Sequence, residues 1–222
     1  MKSWNKLPKE LQCDEVKPYY DILKKKKISR FFTRIFDIFA SFIPLILLSL
    51  FFIIIAILIK LTSKGPVFYR QVRVTRYNKD FRIFKFRTMV VDADKKGSLV
   101  TTKNDSRITK IGKFLRKTKL DELPQLINVL LGQMTFVGTR PEVRKYVDKY
   151  SNEMLATLLM PAGITSSASI KYKDEASLIE NATDVDDVYI NQILPDKMKY
   201  NLEDVKKYNF FRQILLIFKT VL

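Results

Sequence analysis

The chain has 222 residues, and its 40 lysines and arginines outnumber 23 aspartates and glutamates to give a formal net charge of +17. This excess points to an anionic partner: a nucleic acid, a lipid headgroup surface or a phosphorylated substrate. The chain has no histidine and one cysteine, which excludes histidine bases, Ser-His-Asp triads, histidine metal sites and an internal disulfide. Proton transfer or metal binding therefore falls to carboxylates.

Residues 1–33 are predicted to form an N-terminal arm. The first 20 residues mix polar side chains with Trp4, Tyr19 and Tyr20 and follow no clear period. This composition fits either a segment lying at a membrane interface or an arm packed on a folded domain. A basic run at residues 24–27, followed by Arg30 and Arg34, then leads into an apolar stretch.

The apolar stretch, residues 38–59, contains no charged side chain. Its length is enough to cross a hydrocarbon core of about 30 Å, so a plain membrane-spanning helix is one interpretation. However, basic residues flank both ends, whereas a spanning helix is expected to have them mainly on one side. Pro44 lies inside the stretch and can break it, and Asp37 lies at its entrance. We therefore predict a re-entrant helix hairpin over residues 34–62.

A strand is predicted at residues 81–89, FRIFKFRTM. Strict alternation places Ile83, Lys85 and Arg87 on one face. The two cations could lie at a membrane surface beside their apolar neighbour, or they could line an anion pocket. Further along, residues 104–120 fit an amphipathic helix whose apolar face would be buried in an anionic leaflet.

The next stretch, residues 114–142, contains the strongest candidate site. Apolar spacing at residues 123–131 predicts a helix, with Pro124 in its first turn and Gly132 at its end. Asp121 and Glu122 then lie at the helix mouth, where unpaired N–H groups favour a phosphate. Asp121 could alternatively serve only as a helix cap. Basic residues flank the acidic pair, among them Arg116 upstream and Arg140 after a predicted strand at residues 134–137.

Three further elements complete the chain. Residues 142–159 fit a helix that ends before Met160 and Pro161, and the acidic tract at residues 175–187 fits a solvated loop and helix. Residues 210–222 fit an amphipathic helix, which could either pack on the domain or lie in a membrane interface.

The string LDELPQLINVLLGQMTFVGTRPE resembles the core signature of the bacterial sugar transferase family, the monotopic phosphoglycosyl transferases. Other parts of the chain resemble further family motifs, namely RIFD, KLTSKGPVFYRQ, KFRTM and PAGIT. Some positions depart from the family pattern. Thr139 replaces a common proline, Leu50 follows Ser49 where many relatives have a Ser-Pro pair, and Ser166 to Ala168 replace other residues.

The resemblance implies an α+β, mainly helical fold: a monotopic membrane protein with an N-terminal re-entrant hairpin, amphipathic interfacial helices and a small cytoplasmic catalytic domain at residues 63–222. Such enzymes transfer a sugar 1-phosphate from a UDP-sugar to polyprenyl (undecaprenyl) phosphate, release UMP, and begin the assembly of a cell-surface glycan. The expected location is the cytoplasmic face of a bacterial inner membrane. The partners are then the two substrates and an anionic membrane surface, without nucleic acid, and a homodimer is allowed.

The resemblance also assigns roles to individual residues. Asp121 would be the nucleophile that forms an aspartyl-phosphosugar intermediate, and Glu122 would have a metal or proton role. The expected cofactor is Mg²⁺, with Asp121 and Glu122 as its protein ligands. The candidates for binding substrate phosphates are Lys85, Arg87, Arg116 and Arg140.

A rival hypothesis is a non-enzymatic, membrane-attached basic protein, either a scaffold or a nucleic-acid binder. It accounts for the charge and the membrane element equally well. It leaves unexplained why an Asp-Glu pair lies at a helix mouth between arginines.

Overall fold

The computed structural model describes residues 1–93, 105–178 and 184–221. The predicted α+β, mainly helical fold is confirmed in these residues. The helices are α1 (Lys17–Lys25), α2 (Lys27–Leu47), α3 (Ser49–Thr62), α4 (Lys110–Lys117), α5 (Gln125–Leu130), α6 (Arg144–Val147), α7 (Ser167–Lys171), α8 (Glu175–Leu178), α9 (Val185–Val188), α10 (Leu194–Lys206) and α11 (Phe210–Val221). The strands are β1 (Phe68–Thr75), β2 (Lys79–Phe86), β3 (Met134–Val137) and β4 (Ala162–Thr165).

Two small sheets organise the body. Strands β1 and β2 form an antiparallel hairpin in which Phe68 pairs with Phe86 and Thr75 with Lys79. The tight connection between them places Tyr77 and Asn78 at positive φ. Strands β3 and β4 run parallel and pair Met134 with Ala162. A short turn connects the antiparallel strands β1 and β2. The parallel strands β3 and β4 are connected by a longer segment that contains α6 and a helical turn at Met154–Leu159.

The N-terminal segment, residues 1–20, is packed on the domain. Leu11, Val16 and Tyr20 are buried in one cluster with Leu159 and Leu202. The apolar side chains of the arm thus lie against α10 and the Met154–Leu159 turn, far along the chain. Burial of an aliphatic side chain contributes about 1.5–3 kcal/mol, so this packing holds the arm in place.

Helices α2 and α3 form a bent pair. In the part of the chain that the structure describes, no single helix has both the length and the apolar character needed to cross a membrane, whereas α2 and α3 together meet these criteria and bend by 63° at their junction. The bend lies at Leu48, one turn beyond Pro44, which is accommodated inside α2. The helix also starts at Lys27, earlier than the predicted boundary at Arg34.

The polarity of α2 is reversed relative to a helix of a water-soluble domain. Its buried side chains are polar, namely Thr33, Asp37 and Ser41, and follow the spacing of one helical face. Its opposite face is apolar and exposed. The exposed apolar side chains on the two helices are Ile28, Phe31, Phe32, Ile38, Phe39, Phe42, Ile43, Ile46, Leu47, Leu50, Phe51, Ile53, Ile54, Ile57, Leu58 and Leu61. An exposed apolar surface of this extent marks a contact with lipid or another protein.

Polar side chains attach α2 to the body. Arg34 donates hydrogen bonds to the carbonyl oxygens of Val129 (2.6 Å) and Leu130 (2.7 Å) at the end of α5. The Asp37 carboxylate accepts a hydrogen bond from the backbone N–H of Phe136 in β3, at 3.3 Å. The bent pair is thereby joined to the same segment, residues 121–137, that contains the candidate site.

The structure corrects two predicted helices. The helix expected at residues 104–120 begins only at Lys110, because the Thr109 side chain caps it by accepting from the N–H of Gly112. Ile108 instead pairs with Met89 in a β-bridge, and Asn104 lies outside the described residues. The single helix expected at residues 142–159 is wrong, since the backbone carbonyl of Glu142 pairs with the N–H of Val74 and leaves only α6 and a later turn.

Asn128 joins α5 to the β1–β2 hairpin. Its side chain is fully buried. Its Oδ1 accepts from the backbone N–H of Phe84 (2.8 Å), and its Nδ2 donates to the carbonyl of Arg82 (3.0 Å) and to Oε1 of Gln133 (2.7 Å). One amide therefore satisfies two backbone groups of β2 and fixes the distance between β2 and α5.

We predict that Asn128→Ala lowers the free energy of unfolding by about 2–4 kcal/mol, because it leaves the N–H of Phe84 and the carbonyl of Arg82 buried without partners. Chemical denaturation in detergent micelles measures this change. Asn191→Ala is the matched control, since Asn191 is exposed and its side chain bonds to the nearby Asp187; its effect should stay within about 0.5 kcal/mol. Equal effects of the two substitutions would contradict the role given to Asn128.

Candidate active site

Glu122 is the point where three segments meet. Its Oε1 accepts hydrogen bonds from Nζ of Lys85 at 2.7 Å and from Nη2 of Arg140 at 2.9 Å. Lys85 belongs to β2, Arg140 follows β3, and Glu122 ends the helical turn Leu120–Glu122 before α5. Both cations converge on one carboxylate oxygen, which leaves Oε2 outside these two ion pairs.

The electrostatics fix Glu122 as an anion. Burial alone would raise the pKa of Glu122, but the attraction of Arg140 and Lys85 outweighs burial and holds the pKa well below its usual range. Glu122 in turn raises the pKa of Arg140. Burial lowers the pKa of the Lys85 ammonium, and Glu122 opposes this effect.

Asp121 lies beside this group but is not tied into it. It is 9% exposed, and among the described residues no ion pair engages its carboxylate. Burial raises the pKa of Asp121, while Lys85 opposes the rise. Lys119, two residues before Asp121, adopts a left-handed conformation (φ 56°), which leads the chain into the Leu120–Glu122 turn. Neighbouring carboxylates thus have opposite pKa shifts, a pattern typical of functional sites.

The parallel strands hold Arg140 in position. Beyond β3, the N–H of Gly138 donates to the carbonyl of Thr165, and the N–H of Gly163 donates to the carbonyl of Thr139. Gly163 is required here, because a Cβ atom would lie 2.1 Å from the backbone nitrogen of Gly138. Two backbone hydrogen bonds to the β4 segment therefore hold the turn before Arg140, although Thr139 replaces the common proline there.

A cavity of about 480 Å³ opens over Asp121 and Glu122. Five of the six predicted cations and carboxylates line it. Those five residues are Lys85, Arg116, Asp121, Glu122 and Arg140. Four more lysines and one carboxylate complete the charged lining among the described residues, namely Lys119, Lys173, Lys197, Lys219 and Glu175. The lining is strongly cationic, which suits a ligand with several phosphate charges.

Arg87 does not line this cavity, contrary to the predicted phosphate-binding role. Its guanidinium donates to the carbonyls of Lys64 (2.8 Å) and Ser63 (2.7 Å), at the end of α3. The alternation argument fails because β2 ends at Phe86, so the parity of the strand no longer applies to the next residue. Arg87 instead attaches the bent helix pair to the hairpin.

Lys197 of α10 is a lining residue that sequence reasoning missed. It is 4% exposed, and its Nζ donates to Oε2 of Glu175 (2.8 Å) and to the hydroxyl of Tyr189 (3.2 Å). The Tyr189 hydroxyl donates to Oε1 of Glu142 at 2.6 Å. Glu175, the first residue of the acidic tract that was expected to be solvated, is therefore bonded to a buried lysine. Residues 179–183 of that tract lie outside the described residues.

Asp121 and Glu122 are the adjacent carboxylates that a metal ion could bind at this turn. The described residues contain no group of three or more histidine, cysteine or carboxylate side chains placed to hold a metal. Asp121 and Oε2 of Glu122 fit Mg²⁺ only when other oxygens complete its shell, and Mg²⁺ commonly takes those from water and substrate phosphates.

The family is decided by comparison with known proteins. The family model described as bacterial sugar transferase matches residues 28–222. The chain belongs to the bacterial sugar transferase family. Residues 1–27 precede the matched stretch, so the packed arm and α1 lie almost entirely outside it.

Curated relatives of this family name two different sugars. The chain is 36% identical over 198 residues to the UDP-N-acetylgalactosamine-undecaprenyl-phosphate N-acetylgalactosaminephosphotransferase of Aeromonas hydrophila, covering 87% of this chain and 44% of the relative. It is 37% identical over 198 residues to the UDP-glucose:undecaprenyl-phosphate glucose-1-phosphate transferase of Klebsiella pneumoniae, covering 87% and 40%. The Escherichia coli protein of that name is 33% identical over 216 residues, covering 96% and 44%. The chain spans less than half the length of these relatives.

We predict that Lys197→Met lowers the free energy of unfolding by about 3 kcal/mol, because it removes the buried cation that pairs with Glu175 and bonds Tyr189, and leaves Glu142, among the described residues, paired with Arg73 alone. Lys199→Met is the matched control on the same helix, since the Lys199 side chain is 76% exposed, and its effect should stay within about 0.5 kcal/mol. Denaturation curves of both variants in the same detergent make the comparison. If Lys197→Met is as stable as the control, the buried network does not hold this wall of the cavity.

Proposed function

We propose that the protein transfers a sugar 1-phosphate from a UDP-sugar to polyprenyl phosphate and releases UMP. The observation that carries the proposal is the pairing at the site: Glu122 is held by Lys85 and Arg140, while the adjacent Asp121 remains outside the ion pairs in a cationic cavity. The names of the curated relatives agree with this chemistry. Because those relatives name different sugars, the proposal covers the reaction and leaves the sugar open.

In the first step, an oxygen of Asp121 attacks the phosphorus atom next to the sugar. The bond from this phosphorus to the bridging oxygen of the pyrophosphate breaks, and UMP leaves with that oxygen. The sugar phosphate is then joined to Asp121 as an acyl phosphate. In the second step, an oxygen of polyprenyl phosphate attacks the same phosphorus, forms the lipid diphosphate sugar and frees the Asp121 carboxylate.

The surrounding side chains serve both steps. Arg140 and Arg116 can bind phosphate oxygens in a bidentate manner, and Lys85 adds a further charge. The raised pKa of Asp121, caused by burial, makes its ionised carboxylate the more basic nucleophile of the two. Splitting the transfer lets one cationic cavity bind each phosphate in turn, instead of holding two mutually repelling anions together.

Mg²⁺ delivered with the pyrophosphate would take its protein ligands from Asp121 and Glu122. When bound, it would neutralise phosphate charge and polarise the phosphoryl oxygens. Glu122 fits this role because Lys85 and Arg140 occupy its Oε1 alone.

We further propose that the bent pair α2–α3 enters the membrane as a re-entrant element, with the catalytic domain on the cytoplasmic face of a bacterial inner membrane. The support is the reversed polarity of α2 and the exposed apolar faces of both helices. Helix α11 also presents exposed apolar side chains, namely Phe211, Leu215 and Phe218. On its other side, Gln213 and Leu216 are buried against the body. α11 thus combines the two alternatives, packing on the domain and presenting an apolar face outward. Product formation on this face would begin the assembly of a cell-surface glycan.

We predict that Asp121→Asn lowers UMP release by at least about a thousandfold while the protein stays folded, because only the nucleophilic oxygen is replaced. The assay combines detergent-solubilised protein, Mg²⁺, polyprenyl phosphate and a panel of UDP-sugars. Asp148→Asn, at an exposed position, is the control and should retain full activity. Absence of UMP release by the wild type with every UDP-sugar tested would refute the proposed reaction, and residual activity of Asp121→Asn within tenfold would remove Asp121 from its role.

We also predict that the N-terminal arm and the catalytic domain lie on one side of the membrane. After Cys13→Ser, single cysteines at Ser3 and at the exposed Lys149 are labelled in intact cells with an impermeant maleimide. Neither should react until the cells are opened, and then both should react. Reaction of only one of them in intact cells would mean that the bent pair crosses the membrane.

A further inference from the structure

A second cavity, of about 840 Å³, lies between the N-terminal arm, the start of α2 and the β1–β2 turn. None of the residues lining it also lines the cavity over Asp121 and Glu122. Six of its cations are Lys2, Lys24, Lys27, Arg30, Arg34 and Arg76. The one carboxylate that lines it among the described residues is Asp37.

Most of these cations have no counter-charge within the described residues. Lys17, a seventh lining cation, pairs with Asp21, and Arg34 is bonded to the carbonyls at the end of α5. The ion pairs of the described residues include none for Lys24, Lys27 or Arg30. Clustered like charges repel one another, so an anion bound in the cavity would reduce this electrostatic repulsion.

Two details indicate that the cavity is a built site and not a chance concentration of lysines. The Nε of Arg30 is enclosed and has no hydrogen-bond partner. Lys2 and Arg76 both lie over the ring of the buried Tyr77, at 5.2 and 5.0 Å from its centroid. Tyr77 itself adopts a positive φ of 63°, and its hydroxyl accepts the N–H of Lys2, so the turn is tied to the arm.

One edge of the cavity is apolar. Phe31 lines it and is 63% exposed, and Ile28 lies one turn earlier on α2 and is also exposed. This edge continues into the exposed apolar face of the bent pair. A ligand that suits both parts has an anionic head and a hydrocarbon chain.

We propose that this cavity binds the phosphate group of a membrane lipid, with the lipid chain lying along Ile28 and Phe31. The inference rests on the membrane placement proposed above but not on the transfer reaction. Its arm residues precede the stretch that the family model matches, whereas Arg30, Arg34 and Arg76 lie inside it. A bound lipid would fix the arm and the start of α2 at the membrane surface.

Tryptophan fluorescence can measure binding in this cavity, because the single tryptophan of the chain, Trp4, is one of the lining residues. The probe is phosphatidylglycerol with brominated acyl chains, added to the full-length protein in a non-ionic detergent. We expect saturable quenching of Trp4 fluorescence by this lipid and much weaker quenching by equally brominated phosphatidylcholine. Further arms test whether inorganic phosphate or unlabelled polyprenyl phosphate displaces the brominated lipid.

The decisive comparison uses two pairs of substitutions within one basic run. Lys24→Gln/Lys27→Gln removes two lining cations, whereas Lys25→Gln/Lys26→Gln removes two charges that do not line the cavity. We expect the first pair to weaken lipid binding about tenfold and the second pair less than about twofold. Both pairs carry the same net charge, so general attraction to an anionic surface predicts equal effects.

Three outcomes would overturn the proposal: equal weakening by both pairs, no saturable quenching by phosphatidylglycerol, or complete displacement by inorganic phosphate at the concentration of the lipid. The last would assign the cavity to free phosphate. Stronger competition by polyprenyl phosphate than by phosphatidylglycerol supports the proposal and identifies the acceptor lipid as the source of the phosphate. Because lipid binding is the readout, failure here leaves the proposed transfer reaction standing, and loss of UMP release leaves this site standing.

Discussion

The two ion pairs at Glu122 are the interaction on which the candidate site depends. Lys85 comes from the β1–β2 hairpin and Arg140 from the turn after β3, and both reach the same oxygen of Glu122. Without that anion, two partly desolvated cations would face each other across the cavity. Glu122 thereby sets the positions of Lys85 and Arg140 and leaves Asp121 outside the ion pairs. The pKa values of these neighbouring carboxylates shift in opposite directions because their surroundings differ.

Part of this site could be predicted from the sequence, because Arg116, Asp121, Glu122 and Arg140 lie within one short string. Lys85 was also predicted, since Ile83 and Lys85 share the face of β2 that meets α5 and the turn before it. Arg87 could not be placed by the same argument, because alternation holds only inside a strand. Lys197 had no local signal: its burial depends on Glu175 and Glu142, which lie 22 and 55 residues earlier in the chain.

The membrane element illustrates the same limit. The charge-free run at residues 38–59 predicted an apolar element, and the structure has the bent pair α2–α3 there. Its bend lies at Leu48, although Pro44 is the residue with a missing N–H, because α2 tolerates the proline near its end. The polar stripe of Thr33, Asp37 and Ser41 is buried only because Arg34 and Asp37 find partners on α5 and β3. Those partners are almost 100 residues away, so the start of the helix at Lys27 and its orientation follow from tertiary contacts.

The covalent role of Asp121 is the central claim, and trapping the intermediate tests it most directly. The protein is incubated with Mg²⁺ and a UDP-sugar labelled in the phosphate next to the sugar, without lipid acceptor, and is then quenched and digested. We expect label on the peptide that contains Asp121, and no label in Asp121→Asn. Product formation at a normal rate, with intersecting double-reciprocal lines and no label trapped on the wild-type protein, would contradict it and make direct transfer between two bound substrates the mechanism.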